Sequence, residues 1–391
     1  MIRLYTVFTL LFIAITGFSQ GINYSHQYNP NALFQLEHKV VYNNNSTDIL
    51  LKIISKDSIN NYKGILDFRS SYLDNSTDSS ANIYLDKAIF NKVDNTWLLD
   101  LSFKKMEKKR LLLLQFTHNN TGMSYYFDIP LYWHPKINQS STLLYDTNMQ
   151  VPVFENYLST NTYYKTDQSE YIHYYNSFYS AATPPMSSTQ LSTDPQLSID
   201  TTFLIFANEK FALSKEGMYF FENDSSNLHG SVFYVLNKPY PYYTSIKELI
   251  EPTRYITTSS EFKRLKSSPN KESFEKVWLD ITGDPDRAKQ IIRNYYRRVA
   301  YANQLFTTFK EGWKTDMGMI YIMFGAPTEV YKYGNKEEWI YAGTKQQSKL
   351  KFTFVKVDNV FSEKLYRLVR KKEYSMPWMN KVDLWRKGRI K

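Results

Sequence analysis

The spacing of apolar residues changes once along the 391-residue chain, near Pro239-Tyr240-Pro241. Before this point apolar and polar residues alternate with a period of two, as in half-buried β-strands. After it, apolar residues recur every three or four positions, which is typical of amphipathic helices. The change predicts a β-rich N-terminal part and a C-terminal part that contains helices.

The β-rich part is long enough for two domains, which we place at residues 22–133 and 136–240. Strand-length alternation between polar turn clusters favours an all-β, immunoglobulin-like (Ig-like) sandwich for each domain. The Ser-, Thr- and Pro-rich stretch at 180–198 is predicted to be a long surface loop or linker. Strand candidates in the second domain are residues 151–157, 171–179, 202–207, 217–222 and 231–236.

Residues 245–391 are predicted to form a third domain of the α+β class. A short helix is expected at 245–249. Thr258-Ser259-Ser260-Glu261 offers caps for a second helix, and Asp284 is the N-cap of a third. The helix that starts at Pro285 carries one apolar stripe as far as Phe306. Later apolar runs predict strands at 319–324, 338–342 and 350–357.

The first residues of the chain have the pattern of an export signal. Arg3 precedes an apolar stretch at 5–15, and Gly17-Phe18-Ser19 is a small–x–small cleavage site. We therefore expect residues 1–19 to be a signal peptide, with Gln20 as the new N-terminus. No segment has the roughly 20 apolar residues of a transmembrane helix. The expected product is a soluble exported protein of the periplasm or cell surface, not an integral membrane protein.

Cysteine is absent from the chain, and the six histidines all precede residue 230. The lack of cysteine excludes disulfides, thiolate metal sites, cysteine nucleophiles and attachment of a lipid at a cysteine. The sequence also lacks a Gly-rich phosphate loop, a His-x-x-Glu-type metal pair and a nucleophile elbow. We therefore predict no cofactor and no metal site.

Positive charge is concentrated in the C-terminal third. Residues 251–391 carry 29 Lys and Arg against 16 Asp and Glu, whereas residues 1–250 carry 19 against 22. Such a distribution favours attraction to anionic surfaces, although a solvated basic face without a partner fits the composition equally well. For an exported protein the expected partner is an envelope protein, a glycan or another anionic surface, and no nucleic acid.

One segment combines rare residues at fixed spacing. Gly312-Trp313-Lys314-Thr315-Asp316 is followed by Gly318, an apolar run, and Gly325-Ala326-Pro327. This pattern resembles the GWxTD domain of exported Bacteroidetes proteins, in which the same spacing occurs. The resemblance covers about residues 240–391, includes Trp339-Ile340-Tyr341, and implies no particular activity. Met317 departs from the pattern, since the family commonly has arginine there.

The motif is interpreted first as structural. Gly312 and Gly318 suit backbone conformations that other residues resist, and Gly325 and Pro327 suit a turn. Thr315 and Asp316 can accept hydrogen bonds from neighbouring backbone amides and hold a loop before the following strand. Trp313 supplies a large apolar group.

The resulting prediction is a non-enzymatic binding or scaffold protein of the cell envelope with no catalytic residues. The alternative is a hydrolase of envelope glycans that uses two carboxylates, for which Asp316 and Glu329 are candidates. The motif residues singled out as structural or binding are Gly312, Trp313, Thr315, Asp316, Gly318, Gly325, Pro327, Trp339 and Tyr341.

The end of the chain is both basic and aromatic. Ten Lys and Arg residues lie within 364–391, interleaved with Trp378 and Trp385. We expect both tryptophans to pack against the body of the domain and leave the cations outside. The tail then either closes the fold or also docks on an anionic partner, since Arg and Trp commonly anchor such contacts.

Overall fold

A computed structural model describes residues 21–43, 45–74, 78–92, 95–131, 142–149, 151–176, 179–188, 198–222, 230–343, 348–359, 361–362 and 364–390. The predicted signal peptide lies outside these residues. The described chain consists of an N-terminal β-rich region with several antiparallel sheets and a C-terminal mixed α/β region. No helix within the described ranges combines the length and apolarity needed to cross a membrane.

The first β region contains two four-stranded antiparallel sheets, ordered β1-β2-β6-β5 and β4-β3-β7-β8. Side chains from both sheets form one hydrophobic core around Phe34, Leu51 and Phe116. The strands are β1 (Phe34–Tyr42), β2 (Ser46–Ser55), β3 (Tyr62–Arg69), β4 (Ser79–Ile83), β5 (Ile89–Asn91), β6 (Thr96–Lys104), β7 (Arg110–His118) and β8 (Ser124–Leu131).

Strand β7 is buried on both faces. Leu112 and Leu114 belong to the core of the first β region, whereas Leu113 belongs to the core of the C-terminal region. Successive side chains of a strand point to opposite faces of the sheet. The run of four leucines therefore marks a sheet that is covered on both sides.

The second β region also has two sheets, ordered β10-β9-β12-β15 and β11-β17-β16-β13-β14. All strand pairs are antiparallel except β11 and β17, which are parallel. The strands are β9 (Leu144–Asp146), β10 (Val151–Pro152), β11 (Tyr157–Ser159), β12 (Tyr163–Thr166), β13 (Glu170–Tyr175), β14 (Thr201–Ile205), β15 (Phe211–Ala212), β16 (Gly217–Glu222) and β17 (Ser231–Leu236).

Two of the strand predictions here are confirmed residue for residue, namely β16 and β17. The single strand predicted at 151–157 is wrong, because that segment contributes to β10 and β11, which lie in different sheets. The predicted surface loop at 180–198 is only partly described. Ala181 and Ala182 in it are buried in the C-terminal core, so this part of the segment is not a surface loop.

In its described residues the C-terminal region combines six α-helices with the antiparallel sheet β18-β19-β20-β21. Its elements are α1 (Ile246–Ile250), α2 (Ser259–Ser267), α3 (Lys271–Thr282), α4 (Pro285–Phe306), α5 (Asp316–Phe324), β18 (Glu329–Lys332), β19 (Lys336–Tyr341), β20 (Leu350–Lys356), β21 (Tyr366–Leu368) and α6 (Ser375–Arg386). The predicted N-caps are confirmed, since Thr258 accepts from the Glu261 amide and Asp284 accepts from the Arg287 amide.

The strand predicted at 319–324 is wrong, because these residues form most of helix α5. All residues from Met317 to Phe324 are buried, so the helix is apolar around its whole circumference. A short continuous apolar run carries no periodicity that distinguishes a strand from a buried helix. The helix is specified at its ends, by the Thr315 N-cap and by Gly325, whose φ of +83° terminates it.

The N-terminal segment of the described chain packs into the C-terminal core. The Tyr24 amide donates to the Val330 carbonyl at 2.9 Å, and the Tyr28 ring stacks on Phe306. The Tyr28 hydroxyl donates to Glu337 at 2.6 Å. Residues that precede β1 therefore form part of the core of the C-terminal region.

Candidate functional site

The motif glycines 312 and 318 are required by close packing. A Cβ atom on Gly312 would lie 2.0 Å from the Ala302 carbonyl oxygen in α4, and one on Gly318 would lie 1.9 Å from the Gly312 carbonyl oxygen. Neither glycine has a positive φ. The expectation of an unusual backbone conformation at these two positions is therefore wrong. Their role is to bring α4, the motif loop and α5 within contact distance.

Thr315 and Trp313 fasten the loop between these helices. The Thr315 hydroxyl donates to the Gly312 carbonyl at 2.7 Å and accepts from the Gly318 amide at 2.9 Å, which makes it the N-cap of α5. The Trp313 ring is 2% exposed, and its backbone amide donates to the Asn303 side chain at 3.1 Å. Asn303 is fully buried and also donates to the Pro241 carbonyl, so it joins the motif to the start of the C-terminal region.

Asp316 makes long-range rather than local contacts. Its carboxylate accepts two hydrogen bonds from the Arg370 guanidinium, at 2.5 and 3.1 Å, and one from the Leu368 amide at 2.8 Å. Arg370 also donates to the Thr183 carbonyl at 3.0 Å. The expectation that Asp316 caps neighbouring amides is therefore wrong. This ion pair instead connects α5, β21 and the segment between β13 and β14 of the second β region.

The remaining motif residues lie at the other end of α5, which has nine residues and is about 13 Å long. The Tyr341 hydroxyl donates to the Gly325 carbonyl at 2.9 Å, and Pro327 is buried beside this contact on the path to β18. Trp339 is fully buried and donates its indole N–H to Glu337 at 2.7 Å. The structure thus divides the predicted site residues between two ends of one buried helix.

A cleft of about 80 Å³ opens beside the N-terminal end of α5. Its charged lining, as far as the described residues show it, consists of one carboxylate, Asp316, and three cations, Lys310, Arg367 and Arg370. Burial lowers the pKa of Lys310 to about 8, and nearby Asp316 partly offsets that effect. The other lining residues are Ala182, Phe309, Thr315, Val357, Leu365 and Tyr366.

The sequence analysis missed Asn303, Lys310 and Arg370. Asn303 had a signal, since it is a polar residue next to the apolar stripe of α4. Lys310 and Arg370 had none, because each is one of many cations in a basic region. Their position in the cleft depends on contacts between segments that are far apart in the chain.

Asp316 and Glu329, the proposed carboxylate pair, have different surroundings. Glu329 accepts from the Lys349 amine at 3.2 Å and from the Tyr331 hydroxyl at 3.1 Å, whereas Asp316 is held by Arg370. Glu329 is not among the residues that line the cleft. In the described part of the chain, no group of three or more His, Asp or Glu side chains is arranged to hold a metal ion.

The basic tail packs as expected. Trp378 and Trp385 are 4% and 1% exposed and belong to the C-terminal core. Several tail cations pair within the chain, including Arg386, which makes two hydrogen bonds to Glu261 at 2.8 and 2.9 Å. These bonds lower the pKa of Glu261 to about 2. Lys387 pairs with Asp383 at 2.7 Å.

The chain matches the model of a known protein family. No curated protein matches the chain. The model of the GWxTD domain matches residues 217–387, a range that begins at β16 and ends just beyond α6. The matched range contains the loop, both ends of α5 and the charged lining of the cleft. The resemblance drawn from the motif spacing is thereby confirmed, and the chain contains a GWxTD domain at residues 217–387.

Proposed function

We propose that this protein is an exported, non-enzymatic binding or scaffold component of the cell envelope. In this proposal the two β regions are Ig-like sandwiches that accompany the GWxTD domain. The observation that carries it is the Asp316–Arg370 pair, which joins α5, β21 and the segment at Thr183. A carboxylate that is held in an ion pair in this way is better suited to fixing the shape of a surface than to acting as a catalytic acid or base.

The alternative, a glycan hydrolase with two carboxylates, has less support. Such enzymes need a second carboxyl group across the scissile bond from the first. In the part of the chain that the structure describes, the cleft next to Asp316 is lined by one carboxylate and three cations. Both Asp316 oxygens accept hydrogen bonds from Arg370, so neither is free to transfer a proton to a substrate.

The sequence supports export and the envelope as the location. The segment at 1–19 has a positive residue, an apolar stretch and a small-residue cleavage site. Sequencing the N-terminus of the protein from fractionated cells should give Gln20 or a residue within a few positions of it. An intact Met1 on protein from the cytoplasm would contradict the proposed location.

Binding and hydrolysis are separated by one pair of assays on the purified full chain. We expect saturable co-sedimentation with isolated envelope fragments and no release of reducing sugar from envelope glycans. The matched variants are Asp316→Asn and Glu329→Gln. Sugar release that falls at least 100-fold in both variants would establish the hydrolase and overturn the proposal.

A further inference from the structure

We infer that the cleft beside the Gly312–Asp316 loop binds one oxyanion group, a carboxylate or a phosphate, of an acidic ligand. This inference rests on the proposed binding function and specifies the ligand chemistry of the site. It concerns the groups that line the cleft: Lys310, Asp316, Arg367 and Arg370.

The charge balance of the cleft favours an anion. Among the described residues Asp316 is the one carboxylate in the lining, and the bidentate contact with Arg370 neutralises it. Asp316 attracts Lys310 but forms its ion pair with Arg370, so Lys310 and Arg367 leave the described lining with a net positive charge. The apolar side chains of Phe309, Val357 and Leu365 exclude water from part of the wall, and a lower local dielectric strengthens the attraction of these two cations for an anion.

Hydrogen-bond donors in the cleft are also unused. Within the described ranges, neither the Lys310 amine nor the Arg367 guanidinium makes a hydrogen bond or an ion pair. The Arg370 side chain is 10% exposed, and its Nε–H is buried without an acceptor. Buried donors without acceptors are rare in proteins, because they lose their bonds to water and gain nothing in return. An oxyanion in the cleft would supply the missing acceptors.

The volume of the cleft limits what enters it. About 80 Å³ holds several water molecules or one oxyanion group. The acidic group of the ligand therefore enters the cleft, while the rest of the ligand lies on the surface of the domain. Arginine and lysine are the residues that proteins use for carboxylate and phosphate groups.

The test measures anion binding to the purified full chain by calorimetry and by the midpoint of thermal unfolding. Sodium phosphate and sodium acetate are the probes, and sodium chloride at the same ionic strength is the reference. Wild type should bind at least one of the two anions saturably, beyond the chloride effect. Tighter binding of phosphate would identify a phosphate ligand, and tighter binding of acetate would identify a carboxylate ligand.

The variants assign the binding to the cleft. Lys310→Met and Arg367→Met should each weaken anion affinity at least tenfold, and Lys310→Arg should stay within threefold of wild type. Lys372→Met, which removes an exposed cation of the same domain, should change affinity less than twofold. In the absence of anion, Lys310→Met should fold and have a raised unfolding midpoint, because it removes a half-buried cation that has no partner among the described residues.

Two results would overturn the inference: no saturable binding of either anion by wild type, or unchanged affinity in both Lys310→Met and Arg367→Met. Either result combined with retained co-sedimentation on envelope fragments rejects the oxyanion site and leaves the proposed binding function standing. If the wild-type protein does not co-sediment with envelope fragments, the proposed binding function itself is rejected.

Discussion

At the scale of single residues, the effect of the Asp316 carboxylate on stability depends on its partner, Arg370. Asp316 and Arg370 are 11% and 10% exposed, so each would be a buried charge without the other. Removing one member of such a pair costs far more than the pair contributes to stability, since the remaining charge is left unpaired away from water. The motif therefore specifies only one half of an interaction whose other half lies 54 positions further on.

Asp316→Ala should lower the free energy of unfolding by roughly 3–5 kcal/mol, the range for breaking a buried ion pair. The double variant Asp316→Ala with Arg370→Met should recover part of this loss, because it also removes the unpaired cation. Urea unfolding measures both. The control is Asp383→Ala, which removes half of an exposed pair with Lys387 and should leave the unfolding midpoint unchanged. A wild-type midpoint in Asp316→Ala would exclude a structural role.

The buried carboxyl group of Glu170 should make the stability of the folded protein depend on pH. Its side chain is 1% exposed, and burial raises its pKa from 4.5 to about 7, with one hydrogen bond from Thr142 partly opposing the shift. The unfolded chain therefore loses this proton at lower pH than the folded protein does. The contribution of protonated Glu170 to the free energy of unfolding is complete below pH 4.5. This contribution is lost as the pH rises through about 7.

Glu170→Gln should remove this dependence, because the amide stays neutral and keeps the acceptor for Thr142. At pH 8 the variant should be more stable than wild type by up to about 3 kcal/mol, and near pH 4.5 the two should be equal. Chemical unfolding at several pH values measures the difference, with exposed Glu209→Gln as the control. Parallel pH profiles for wild type and Glu170→Gln would reject this role of Glu170.

At the scale of elements, helix α5 organises the GWxTD domain. It is buried on all sides, starts at the Thr315 cap and ends at Gly325. Motif residues at its two ends hold it against α4, β21 and the sheet. The spacing of the motif residues thus corresponds to the length of one short helix together with the contacts at its two ends.

Thr315→Ala should destabilise the domain by roughly 1–2 kcal/mol, since it removes the N-cap acceptor of α5 and the hydrogen bond to Gly312. Thr315→Ser keeps the hydroxyl and should lose clearly less. Thermal unfolding of both variants measures the contrast. Equal losses in the two would mean that the methyl group of Thr315, and not its hydroxyl, stabilises the loop.

Helix α6 closes the C-terminal core through Trp385, whose ring lies 5.3 Å from that of Tyr295. Deleting residues 381–391 removes this side chain, so we expect loss of cooperative unfolding and of near-ultraviolet circular dichroism in the domain. The control replaces Lys387 and Arg389 with Gln and keeps Trp385, and it should fold normally. A truncated chain that folds but no longer associates with the envelope would identify the tail as a docking segment.

At the scale of the whole molecule, a buried polar cluster joins the first β region to the GWxTD domain. Lys332 in β18 donates to Asp128 in β8 at 2.7 Å and to Gln27 at 2.9 Å. The Tyr72 hydroxyl donates to the other Asp128 oxygen at 2.6 Å. Although burial opposes the effect, Lys332 and these donors lower the pKa of Asp128. The two regions are therefore expected to unfold together.

Lys332→Met leaves Asp128 buried without its cation, so it should cost roughly 3–5 kcal/mol and separate the unfolding of the two regions into two transitions. Calorimetry measures both effects. The control is Lys336→Met, since Lys336 is 39% exposed and pairs within its own sheet with Glu338. A single transition at the wild-type temperature in Lys332→Met would show that this cluster does not couple the regions.

The sequence by itself determined the features that depend on neighbouring residues. Short apolar runs between polar clusters located β16 and β17, and the caps at Thr258 and Asp284 located two helix starts. The fixed spacing from Gly312 to Pro327 identified the domain. Such signals are local, because capping bonds and side-chain periodicity involve residues within a few positions of each other.

Only the tertiary structure decided what the motif does. Residues 319–324 have no polar member to indicate a period, so burial on every side selected a helix over a strand. Arg370 became the partner of Asp316, and Lys310 came to line the cleft, because separate segments of the folded chain return to one place. Pairing of this kind depends on the packing of the whole core, which no short stretch of sequence specifies.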